Sequence, residues 1–74
     1  MTELGRLRWR CRRGMLELDL ALDRFLERYG AALSADQRAT FEEVLDYPDN
    51  DLWDCICKRQ RAPDARHQAV IDLL

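Results

Sequence analysis

Between residues 15 and 29 the apolar side chains form a single helical stripe: Met15, Leu18, Leu22, Phe25, Leu26 and Tyr29 recur at intervals of three and four, with Phe25 and Leu26 adjacent. That spacing gathers all of them on one side of an α-helix. It is incompatible with a strand, whose alternate residues share a face. Elsewhere glycine and proline fall only at Gly5, Gly14, Gly30, Pro48 and Pro63, and no stretch alternates like a strand. Leu4, Leu7 and Cys11 mark a first short helix. Gly30 is expected to end the second in the left-handed conformation that glycine adopts at little cost. Ser34 and Gln37 have the form of a capping box for a third helix that runs to about Leu45 and buries Phe41, Val44 and Leu45. Asp49 or Asn50 is expected to cap a fourth, with Leu52, Trp53 and Ile56 inward. Pro63 suits the first turn of a fifth, whose inner face carries His67, Val70, Ile71 and Leu74. The expectation is an all-α fold, a compact bundle of about five short helices forming one domain over residues 1–74.

Seventy-four residues are too few for two domains or for a deep enclosed active site. With 47% apolar and 35% charged residues the composition is that of a folding chain. No apolar run approaches the roughly 20 residues that cross a bilayer, and the N-terminal residues lack the apolar stretch of a secretory signal. Cys11, Cys55 and Cys57 form no CxxC pair and are odd in number, which reads as free thiols in a reducing compartment.

The net charge of −2 conceals a segregation. Residues 1–13 carry five arginines against Glu3, residues 36–54 seven acids against Arg38, and residues 58–66 four bases against Asp64. Such asymmetry either steers a charged partner or is neutralised within the fold. On the first helix Trp9 points opposite the Leu4, Leu7, Cys11 stripe and sits among arginines. Trp and Arg are the residues most enriched at interface hot spots. The alternative is that Trp9 covers a neighbouring helix with Arg13 stacked on it. Leu16 and Leu20 also leave the main stripe of the second helix, which is then either sandwiched on two sides or exposes an apolar patch.

Where the first helix gives way to the second, Arg13, Gly14 and Glu17 form a small constellation. Gly14 lets a partner's backbone or a flat ligand approach closely. Arg13 offers a rigid fork of donors, and Glu17, in the first turn of a helix, can reach back to the chain at Gly14. The competing reading is a glycine-marked junction with an Arg13–Glu17 pair worth about 0.2 to 0.5 kcal/mol.

The run of Trp9, Cys11-Arg12-Arg13-Gly14-Met15 and Glu17-Leu18-Asp19, followed by Phe25 to Tyr29, Leu33-Ser34, Phe41, Val44-Leu45-Asp46 and Asp49-x-Asp51-Leu52, resembles the FAD assembly factor family. Its members are called succinate dehydrogenase assembly factor 2 in mitochondria and SdhE in bacteria. The resemblance covers nearly the whole chain, and the RGxxE signature falls on Arg13, Gly14 and Glu17. It implies a small five-helix protein that binds the flavoprotein subunit of succinate dehydrogenase, and in some bacteria fumarate reductase, and promotes covalent attachment of FAD to a histidine of that client. Arg13, Gly14 and Glu17 are then the partner-binding residues, with Trp9, Arg12 and Asp19 beside them. The catalytic groups belong to the client, FAD is the client's and not stably held here, and no metal is implied. The expected setting is the bacterial cytoplasm, with no membrane or nucleic-acid partner, as a monomer or weak homodimer. Gly14→Arg is expected to abolish client support and leave the fold intact. The chain departs from the family in having Cys55 where a Trp is common, with Trp53 a candidate to fill that space, and Gln60 where Gly is frequent. It also ends at Leu74, without the polar tail of some members.

Three other readings compete. An enzyme would have to rest on His67, the single histidine, with no nucleophile paired to it. A metal site would need Cys55 and Cys57, which are two apart on a helix and face nearly opposite ways. A small binding module would be either nucleic-acid-binding, through the arginines of residues 6–13 and against an acidic pI of 5.3, or antitoxin-like, told apart by whether its preferred partner is a flavoprotein.

Overall fold

The computed structural model describes residues 3–74, with side chains from Gly5 onward, and turns the apolar stripes into five α-helices. These are α1 (Glu3–Arg10), α2 (Leu16–Tyr29), α3 (Ala35–Leu45), α4 (Asp49–Ile56) and α5 (Ala65–Ile71). No strand occurs among the described residues. The α2 stripe is the spine of the core: Leu18 and Leu22 are fully buried, and Phe25 stacks on Phe41 of α3 with ring centroids 4.7 Å apart. Leu7 and Cys11 close the core from the first segment, Leu52 and Cys55 from α4, Val70 and Ile71 from α5. Leu4, the first position of the expected α1 stripe, lies outside the residues whose side chains are described. The radius of gyration, 11.3 Å, matches the roughly 11 Å of a well-packed chain of this length.

Local signals were obeyed at some helix ends and overridden at others. The Ser34–Gln37 capping box forms in both directions, with Ser34 Oγ accepting from the Gln37 amide at 3.1 Å and Gln37 Oε1 accepting from the Ser34 amide at 2.9 Å. Gly30 is not left-handed: its φ of −52° and ψ of −43° continue the right-handed path into a 3-10 turn, Gly30–Ala32. Two alanines follow that do not oppose a tightened turn, and the chain straightens only at Leu33. Gly30 is buried there and contributes small size in place of conformational freedom. The fourth helix is capped neither by Asp49 nor by Asn50, because Pro48 holds the cap position and the Asp49 carboxylate is engaged by Arg13. The fifth begins after Asp64, whose carboxylate accepts the Arg66 amide at 2.7 Å. An acceptor side chain at the cap satisfies an orphan donor that proline cannot, so Pro63 sits ahead of the helix.

The departures from the family pattern also resolve. Cys55 itself reaches the core at 1% exposure, while Trp53 packs on its rim, so Trp53 does not take the Cys55 position. The residue that needs glycine in the following connection is Lys58, at φ 64°, and not Gln60. It ends α4 with a Schellman motif: the Arg59 amide donates to the Asp54 carbonyl at 2.9 Å and the Lys58 amide to the Cys55 carbonyl at 3.2 Å. A left-handed non-glycine residue costs about 1 to 2 kcal/mol. Lys58→Gly is therefore expected to raise stability by about 1 kcal/mol, a rise of roughly 4 to 8 °C in Tm for a domain of this size. Thermal melting followed by circular dichroism checks this, and an unchanged or lowered Tm contradicts it.

Candidate functional site

The connection from α1 to α2 is short, and each of its residues has a distinct local role. Cys11 is buried at 3% exposure and anchors the chain as it leaves α1. Gly14 follows with φ +90°, a conformation that L side chains rarely adopt, and Met15 is extended at the start of α2. Met15 has no side-chain acceptor to offer a helix start. Asp19, one turn into α2, reaches back in its place: Oδ1 accepts the Arg13 amide at 2.8 Å and Oδ2 the Gly14 amide at 3.2 Å. This is the back-reaching role expected of Glu17. Asp19 performs it because the loop amides lie over its position, and a carboxylate near a helix N-terminus is further favoured by the helix dipole.

Arg13 turns inward. Its side chain is 14% exposed. Nε donates to the Asp49 carboxylate, Nη1 to the Leu45 carbonyl at 2.6 Å, and Nη2 to the Tyr47 carbonyl. Leu45 is the last residue of α3 and Asp49 the first of α4. One guanidinium thus satisfies carbonyls at a helix C-terminus and pairs with the first residue of the next helix, the planar three-acceptor geometry that arginine alone provides. The fork expected to face a partner bolts the α1–α2 junction onto the α3–α4 junction within the fold. The Arg13–Glu17 pair is absent: Glu17 is exposed and makes no hydrogen bond or ion pair among the described residues. Asp49 and the carbonyls of Leu45 and Tyr47 were missed as components of the site. The one legible signal was Asp49 itself, expected as a cap of the fourth helix and part of the Asp49-x-Asp51-Leu52 run of the resemblance. From Tyr47 the network extends to α5, since its hydroxyl lies 2.9 Å from His67 Nδ1.

The surface above this bolt is open. Trp9 is 69% exposed, so it does not cover a neighbouring helix, and Leu16 at 69% and Leu20 at 49% make α2 a helix with an exposed apolar patch. Arg12 and Gly14 are exposed. A Cβ placed on Gly14 would meet nothing within 4 Å. A shallow depression of about 450 Å³ runs past Arg8, Arg12, Gly14, Asp19, Leu20 and Asp23. Of the expected partner residues, Trp9, Arg12, Gly14 and Glu17 face solvent, whereas Arg13 and Asp19 lie partly buried beneath them as supports.

The segregated charges interleave in space. Arg8 pairs with Asp23 at 3.1 Å, Arg10 with Asp46 at 2.9 Å and Arg13 with Asp49, while the basic stretch near the C-terminus returns Arg59 to Asp54 and Arg66 to Glu43. The exposed pairs contribute little each, about 0 to 1 kcal/mol. They neutralise part of the basic stretch, since Arg8 and Arg10 stay exposed but paired, whereas Arg6 and Arg12 are exposed with no ion pair among the described residues. Burial pushes the Cys11 thiol up to about 11 and raises the Cys55 thiol as well, so both stay protonated and poorly nucleophilic at neutral pH. Cys57 is exposed on the other side of α4 from buried Cys55, as their spacing required. His67 is largely enclosed between Tyr47 and Glu43, a partly buried helix residue. No helix of the described residues is long and apolar enough to cross a membrane.

A family profile described as the flavinator of succinate dehydrogenase matches residues 5–74. Among curated proteins, the chain is similar to the FAD assembly factor SdhE of Ralstonia nicotianae, 41% identical over 95% of this chain and 78% of that one. The proteins of the same name from Methylococcus capsulatus, 46% identical over 86% and 77%, and Mannheimia succiniciproducens, 43% over 93% and 80%, are similar too. No solved structure matches.

Proposed function

The chain belongs to the family of flavinators of succinate dehydrogenase, and from that premise we propose that it binds the flavoprotein subunit of this enzyme and promotes its covalent flavinylation. It is an assembly factor, and the reacting groups are those of the client. The observation that carries the assignment of the binding surface is the open ground around Gly14. There the side chains of Trp9, Arg12 and Glu17 face solvent with no side-chain hydrogen bond or ion pair among the described residues, over a loop made rigid by Arg13 and Asp19.

The division of labour follows from these positions. Gly14 admits close approach of the client's backbone, Trp9 supplies a large apolar anchor, and Glu17 and Arg12 set the register by charge-assisted hydrogen bonds. Arg13 and Asp19 position the surface from below. Client support is then a population shift: binding favours the client conformer in which its own histidine meets the flavin. A conformer populated about 1% of the time reaches half occupancy with about 2.7 kcal/mol of differential binding. That lies within reach of a small interface with one or two anchors. FAD stays with the client, fumarate reductase is a second client of the same surface, and the setting is the bacterial cytoplasm.

Trp9→Ala tests the surface. It removes an exposed side chain, so Tm should move by no more than a degree or two. The dissociation constant for the purified flavoprotein subunit, measured by calorimetry, should rise at least about tenfold, as expected for a hot-spot tryptophan. Unchanged affinity removes Trp9 from the interface.

A further inference from the structure

We propose that α2 also pairs with the α2 of a second copy of this chain, antiparallel across a twofold axis passing between Leu20 and Ala21. Beside α2 runs a groove of about 520 Å³, lined by Phe25, Tyr29, Trp53 and Ile56, with Leu20 and Leu73 half-exposed on its rim. It is separate from the depression around Gly14 but shares Leu20 with it. Its charges are polarised: Glu17 lies at one end, Arg24 and Arg28 at the other. All three are exposed, and none has a hydrogen bond or ion pair among the described residues.

This pattern is complementary to itself. Glu17 and Arg24 are about 10 Å apart along the helix axis at 1.5 Å per residue, and Leu20 and Ala21 lie midway between them. Turning a second α2 end for end about that midpoint sets each Glu17 beside the other copy's Arg24. Leu20 of each copy then packs against Ala21 and Leu20 of the other at the rim of the groove, and the small Ala21 lets the axes approach. An isologous interface requires this kind of self-matching patch, whereas a foreign helix would have to supply the same polarity by coincidence. The face of one 14-residue helix buries less than the roughly 1,200 Å² of a stable complex, so the pair is weak and concentration-dependent. Glu17 is common to both surfaces. If the client reading above holds, pairing and client binding therefore exclude each other.

Sedimentation equilibrium on the full chain tests the pairing. The wild-type mass should rise from 8.8 kDa toward twice that as concentration increases from about 10 µM to about 1 mM, the weak regime set by the area. Glu17→Arg and Arg24→Glu should each remain monomeric, with dissociation constants raised at least about tenfold by like charges in contact. Their equimolar mixture should associate again, because one variant offers only arginines and the other only glutamates at these positions. A wild type that stays monomeric throughout, single variants that pair like wild type, or a mixture that stays monomeric overturns the proposal. Weaker flavoprotein binding by Arg24→Glu in a chain that never pairs assigns the groove to the client and also overturns it. Flavoprotein that binds the dimer without dissociating it overturns only the mutual exclusion.

Discussion

Arg13→Ala should bring the chain close to its unfolding threshold at 25 °C, with no more than about 2 kcal/mol of stability left. The substitution removes the donor group for the Asp49 carboxylate and for the carbonyls of Leu45 and Tyr47, from a guanidinium that is only 14% exposed. Losing a partly buried charge-assisted network of this kind costs about 3 kcal/mol, and a core of this size rarely supplies more than about 3 to 5 kcal/mol in all. Arg13→Lys keeps the charge but cannot serve three acceptors in one plane, so it should fall between the two. Asp49→Asn should be milder still, because that side chain is 39% exposed and water substitutes for part of the bond. Denaturant melts of the three variants should give that order. A Tm for Arg13→Ala within a degree or two of wild type would show that the inward network adds nothing. An unfolded Arg13 variant also loses client support for a reason unrelated to contact, so loss of function at this position does not by itself place the residue in the interface.

The second large effect is at Gly14 and requires a paired measurement. Gly14→Arg does not act on the client alone, as expected from the sequence, because at φ +90° any L side chain strains the backbone. Gly14→Ala bears that strain without bulk: its Cβ meets nothing within 4 Å, so its cost is conformational, about 1 to 2 kcal/mol. Gly14→Arg should melt at about the same temperature as Gly14→Ala. Only the arginine should abolish flavoprotein binding, since its side chain fills the open ground where the client's backbone approaches. Equal loss of binding by both variants at a temperature where both are folded would trace the defect to the strained loop and not to a close approach.

Much of the fold was legible because the apolar spacing repeats: the α2 stripe, the α3 capping box and the inner faces of α4 and α5 follow from local rules that nothing opposes. The misses share a cause. Asp49 looked like a cap because its neighbours make it one, and it was withdrawn from that role by an arginine 36 residues earlier in the chain. The inward partners of Arg13 went unseen because the carbonyls that bind it belong to a distant helix end, which no local pattern encodes. Glu17 and Asp19 are two residues apart on one helix and differ only in which of them the loop amides overhang. The charge blocks were visible as blocks, yet their mutual neutralisation depends on how helices far apart in sequence come together. Trp9, Leu16 and Leu20 lie off the apolar stripes by their spacing and are exposed, which removes the reading in which Trp9 covers a neighbouring helix.

In the function proposed above, this chain promotes covalent flavinylation through a surface in which Glu17 faces the client and Arg13 holds the loop. Its most direct test is reconstitution with purified succinate dehydrogenase flavoprotein lacking flavin, free FAD, and this chain either absent, wild type or Glu17→Ala, with covalent flavin read as fluorescence of the denatured subunit in a gel. Glu17 is exposed and unpaired among the described residues, so Glu17→Ala should fold with a stability within about 0.5 kcal/mol of wild type. Covalent flavin should form promptly with the wild type, and at a rate at least about tenfold lower both without the chain and with Glu17→Ala, about 1.4 kcal/mol of lost stabilisation. Equal rates in all three reactions would contradict it.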